Sequence, residues 1–101
     1  MSPRSRNLSR AYILNGRGAA LAGLGEFDRA LLEFERSIAL SPENAWVYFN
    51  RAEAYDRRGD QEKAVADFRR AIAEGNPRLS RSKMEFAEAR LRELCDKRKD
   101  N

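Results

Sequence analysis

Apolar residues recur along this chain at spacings of three and four in five successive stretches, each ended by glycine, proline or a polar tail. That spacing predicts helices near residues 8–23, 27–40, 44–58, 61–74 and 80–97. In the third stretch Tyr48, Ala52 and Tyr55 share one helix face, and Gly59 stops the helix by taking the left-handed conformation. The fourth carries its stripe on Ala64, Val65, Phe68, Ala71 and Ile72, and Gly75-Asn76-Pro77 closes it. The first two stretches follow the same plan. Leu14, Gly18 and Leu21 precede a stop at Gly25, and Ala30, Leu31, Phe34 and Ile38 lead to Ser41-Pro42, where Ser41 is placed to cap the next helix with Pro42 in its first turn. The fifth stretch has apolar Met84, Ala87, Leu91 and Leu94 on one side and Arg90, Arg92, Glu93 and Lys97 on the others. Residues 1–7 and the tail from Arg98 have no apolar face to bury and are expected to be mobile.

The first two helices and the next two are copies of one unit. Aligned without a gap at a spacing of 34, residues 11–44 and 45–78 share nine identical pairs: Ala11/Ala45, Arg17/Arg51, Ala20/Ala54, Gly25/Gly59, Ala30/Ala64, Phe34/Phe68, Arg36/Arg70, Ile38/Ile72 and Ala39/Ala73. Small residues at Gly18, Ala52, Ala30 and Ala64 let paired helices approach closely, and Phe34 and Phe68 fill the space beside them. A large side chain at any of the four small positions overpacks the hairpin, which typically costs about 1–3 kcal/mol.

With its aromatic, small and large residues followed by Ala-x3-Phe and a closing proline, residues 11–78 resemble the tetratricopeptide repeat family. The departures are Leu14 where an aromatic is usual, Arg17 and Arg51 where Leu is common, and Pro77 one residue late. The resemblance implies an all-α fold: antiparallel helix hairpins stacked as a short right-handed superhelix, with repeats at 11–44 and 45–78 in a single domain of 101 residues. The helix at about 80–97 is then expected to cover the last apolar face of the stack.

The resemblance also implies a concave groove, lined by the first helix of each repeat, in which a peptide or partner helix lies. Tyr12, Asn15, Ala19 and Ala22 fall on that face in the first unit, and Trp46, Phe49, Glu53 and Asp56 in the second, with Asn50 adjoining. Tyr12, Trp46 and Phe49 are candidate apolar anchors; the alternative for Trp46 and Phe49 is packing against the neighbouring helix pair. Relatives that clamp a C-terminal carboxylate use Lys and Asn in the first unit. Asn15 and Ala19 stand there instead, so the clamp is incomplete even though Asn50 matches its second-unit Asn.

Composition narrows the chemistry. The chain has no histidine and a single cysteine, which argues against imidazole catalysis, zinc sites of the usual kind and internal disulfides. Cys95 lies in the last apolar stripe and reads as a small buried residue, with disulfide dimerisation as the alternative. Asn15-Gly16-Arg17-Gly18 fits neither a dinucleotide fingerprint nor a Walker loop, since no strand precedes it and the required glycine or lysine is absent. Glu33, Glu35, Glu62 and Asp67 read as solvated helix faces and ion pairs, Glu33 with Arg29 for example. No catalytic residue, metal site or cofactor is expected.

The net charge of +4 divides as +3 over residues 1–10, −2 over 11–77 and +3 over 78–101. The body of the protein is therefore not a cationic surface, which argues against nucleic acid as the main partner. Self-association through exposed terminal helix faces, and nucleic-acid binding through the basic ends, stand as alternatives to a protein-binding groove. The chain lacks an apolar run long enough to span a bilayer and a secretion signal, so no membrane partner is expected and a cytoplasmic location is the default.

Overall fold

A computed structural model describes residues 3–75 and 79–99, with side chains over 7–75 and 79–97. Among the described residues there are five helices and no strands: α1 (Pro3–Gly23), α2 (Phe27–Leu40), α3 (Ala45–Arg58), α4 (Gln61–Glu74) and α5 (Arg81–Lys99). The three inner helices match the expected bounds to within a residue, whereas α1 starts five residues early and α5 runs two residues long. The ends expected to be mobile therefore belong in part to the outer turns of α1 and α5. Met1, Ser2, Asp100 and Asn101 lie outside the described residues.

The punctuation is built as the residue types demand, with one exception. Gly25 and Gly59 take φ of 82° and 96°, where a Cβ would be strained, and so turn the chain between the helices of each hairpin. The exception is the start of α3. Ser41 ends α2 by donating its backbone N–H to the Ser37 carbonyl. Asn44 is the residue that caps α3, its side-chain oxygen accepting from the Trp46 N–H at 3.1 Å. Pro42 thus lies in the turn rather than in the helix. At the start of α5, Ser80 Oγ accepts from the Lys83 N–H in the same manner.

α1 packs on α2 and α3 on α4 as hairpins, α3 also lies against α1 and α2, and α5 lies against α4. The stack is elongated, 52 × 29 × 19 Å. Phe34 and Phe68 are fully buried, as are Ala30, Ala52 and Ala64. A Cβ built on Gly18 would stand 2.5 Å from the Phe34 ring, so the close approach of α1 and α2 depends on the absence of a side chain there. Each buried phenyl contributes about 1.5–3 kcal/mol of apolar transfer. Met84, Leu91 and Cys95 pack partly buried against the core beside fully buried Ala87 and Leu94, so α5 covers α4 as expected.

Two of the carboxylates read as solvated faces or ion pairs, Glu33 and Asp67, form ion pairs and are buried. Asp67 receives both the Nε and Nη2 of Arg51, at 2.6 and 2.9 Å, while the guanidinium lies 5.9 and 5.8 Å from the ring centres of Tyr48 and Tyr55. The bond to Asp67 raises the Arg51 pKa although burial opposes it. Here an ion pair replaces the leucine common at position 51, which explains that departure. One repeat earlier the same two places hold Arg17 and Glu33. Glu33 is buried, but Arg17 Nε stays 3.7 Å away and Arg36 contributes a 3.5 Å contact; Arg29 pairs with Glu26 instead.

Candidate protein-binding face

The residues expected to line a groove divide into three groups. Tyr12 of α1 and Trp46 of α3 are 41% and 39% exposed with ring centres 6.3 Å apart, so they present one continuous aromatic surface. Lys83 of α5 holds its ammonium 5.8 Å from the Trp46 ring centre. This is amphipathic surface, apolar on its rings and charged at its edge, of the sort that anchors interfaces.

Phe49 behaves otherwise. It is 3% exposed, with its ring 6.0 Å from Phe68 and 5.8 Å from Phe86 in edge-to-face contacts, and Lys83 lies 5.1 Å above it. It fills the junction of α3, α4 and α5, and in this arrangement has no surface to offer a partner. Phe86 takes the outward position instead, 47% exposed beside it.

Three of the polar members join α3 to α1 or α5. Asn15 is buried, and its Oδ1 accepts from Asn50 Nδ2 at 2.9 Å, tying α1 to α3. Asp56 accepts from Arg90 Nε and Nη2 at 2.6 and 2.8 Å, tying α3 to α5. Arg90 follows Asp56 by 34 residues, the repeat period itself. Hydrogen bonds to Asp56 and Glu93 raise the Arg90 pKa. Ala19, Asn50 and Glu53 line a cleft of about 80 Å³ together with Arg57. Burial pushes the Glu53 carboxyl up, against the pull of Lys83 and Arg57.

Lys83, Phe86 and Arg90 were not foreseen as site residues. They follow one another at spacings of three and four on α5, off the Met84, Ala87, Leu91, Leu94 stripe, and an aromatic outside a helix's buried stripe was the signal that could have exposed them. Among the described residues, no helix is long and apolar enough to cross a membrane.

Two family models described as tetratricopeptide repeat match the chain, over residues 33–66 and 11–44. The chain is similar to Tetratricopeptide repeat protein 36 from several animals. The human protein is 32% identical over 84 residues, covering 83% of this chain and 44% of the relative. The Caenorhabditis elegans protein is 34% identical over 65 residues, covering 64% of this chain and 36% of its own length. The chain thus spans less than half the length of these curated relatives.

Proposed function

Because this chain belongs to the tetratricopeptide repeat family, whose repeats mediate protein–protein interaction, we propose that it is a non-catalytic scaffold holding a peptide or partner helix on the face formed by α1, α3 and α5. Residues 1–101 would act as one domain, with repeats at 11–44 and 45–78 and α5 as the cap, and a cytoplasmic setting suits it.

The observation that carries the reading is the exposed Tyr12–Trp46 pair. Two large rings held 6.3 Å apart by different repeats cannot be explained by packing within either hairpin. They offer a partner's apolar side chain a surface to lie on, with Lys83 at the rim and Phe86 also exposed. Asn15, Phe49 and Asp56 support this face from beneath by fixing the spacing of its helices, while Ala19, Asn50 and Glu53 shape its far end.

The test is selection of peptides from a displayed library, followed by affinity measurement against wild type, Trp46→Ala and Tyr12→Ala. Both rings are more than a third exposed, so both variants should fold. Each should weaken binding by about 1–2 kcal/mol, as loss of an aromatic anchor does. Trp46 is the sole tryptophan, so its fluorescence reports occupancy. Selected peptides that bind both variants as tightly as wild type and leave that fluorescence unchanged would sink the proposal.

A further inference from the structure

The repeat provides an internal standard for what each surface is built to touch. Asn44, which caps α3, and Val47 and Ala54 within it lie 34 residues after Arg10, Ile13 and Ala20 of α1. In the second unit all three are buried, at 1%, 0% and 1% exposure, with the first hairpin against α3. In the first unit the equivalent residues are open: Ile13 is 63% exposed, and Arg10 and Ala20 are exposed beside it. Leu24, one more turn along at a spacing of four, is 76% exposed. The stripe Arg10, Ile13, Arg17, Ala20, Leu24 has the alternating three-four spacing of a helix that packs along another helix. Beside it, the edges of α1 and α2 leave a cavity of about 490 Å³ lined by Ile13, Leu14, Ala39 and Leu40 with Arg10, Arg17 and Arg36 around them. At the opposite end α5 covers the stack; at this end nothing among the described residues does.

Charge selects the occupant. The stripe and the cavity present Arg10, Arg17 and Arg36, and the described length of α1 contains no acidic residue at all. Arg17 and Arg36 share one buried carboxylate, Glu33, and the open Arg17 contact contrasts with the closed Arg51–Asp67 pair of the second unit. A second copy docking through the same face would bring these arginines against their own counterparts. A helix whose apolar edge is flanked by Asp and Glu would cover Ile13, Ala20 and Leu24 and complete the pairing of the arginines.

We propose that this end face is a second interaction surface, continuing the inter-repeat interface, and that it docks an acidic amphipathic helix of a partner protein. It is separate from the Tyr12–Trp46 face and stands independently of it.

The experiment titrates the ¹⁵N-labelled chain with a synthetic helical peptide of about 18 residues, five turns. The peptide carries Leu and Ala at three-four spacing and Glu on both flanks; a control carries Lys in place of Glu. The Glu peptide should shift the amides of Ile13, Ala20, Leu24 and Ala39 and leave the Trp46 indole unmoved. Its affinity should fall about tenfold or more in Ile13→Glu and in Arg10→Glu, fall with added salt, and remain unchanged in Trp46→Ala. Ile13 and Arg10 are exposed, so both variants keep the wild-type circular dichroism, and failure of the groove reading would show separately in Trp46→Ala. Equal binding of the Lys peptide, shifts confined to Trp46 and Asn50, or no shifts at saturating peptide would each overturn the proposal. So would a doubled mass of the free protein that Ile13→Glu returns to monomer, since the face would then belong to a second copy.

Discussion

Replacing Phe49 by Ala distinguishes a partner-facing anchor from a core residue, because the two roles predict opposite outcomes. The side chain is 3% exposed and makes edge-to-face contacts with Phe68 and Phe86. A buried Phe→Ala change costs about 3–5 kcal/mol through lost transfer energy and the cavity left behind, and each ring contact is worth about 0.5–1.5 kcal/mol beyond area. Phe86 is 47% exposed and can swing partly into the space, which places the cost toward the lower end, about 3–4 kcal/mol. For a chain of this length total stability is about 5–15 kcal/mol, so the variant remains folded but its thermal midpoint drops by roughly 12–30 °C. Urea unfolding followed by far-ultraviolet circular dichroism measures the loss. Hydrogen exchange should show protection lost in α5 before α1 and α2, since the deleted ring sits where α5 joins the stack. An unchanged urea midpoint together with lost peptide binding would refute the placement of Phe49 in the core.

Three other substitutions test separate parts of the structure. Asp67→Ala strands the Arg51 guanidinium between two tyrosine rings and should cost about 3–5 kcal/mol in urea unfolding, whereas Asp28→Ala, whose carboxylate is 91% exposed, should leave the midpoint in place. Glu53 has a folded pKa above its ordinary value of 4.5, so it contributes stability that is present below that value and lost as pH rises through the folded one. Stability against pH should therefore decline more steeply for wild type than for Glu53→Gln just above pH 4.5, and parallel profiles would contradict the burial assigned to Glu53. Gly59→Ala places a Cβ at φ 96° and should cost about 1–2 kcal/mol by the same unfolding assay, with no change in peptide affinity.

Much of the fold could be read directly because its information is local. A helix face repeats every three or four residues, a left-handed stop selects glycine, and a unit used twice declares its own period, so Gly25, Gly59, Phe34 and Phe68 were legible with their roles. The cap of α3 was misplaced because Ser41 and Asn44 are both competent cap residues, and only the path of the turn decides between them. The burial of Glu33 and Asp67 was hidden for a different reason. A carboxylate on a helix reads as a solvated face or a local ion pair unless its cation is known, and Arg51 lies 16 residues away on another helix.

The face along α1, α3 and α5 divides at the same line. Sequence by itself determined which residues share a side of each first helix, since that follows from the pitch of the helix. It could not determine how much of that side α5 covers, because this depends on how closely the final helix approaches. That approach buried Phe49, occupied Asp56 with Arg90 and brought Phe86 and Lys83 to the surface. The identity of the helices was a property of residues a few places apart, while the choice between anchor and core was made by contacts spanning a whole repeat, which no local period records.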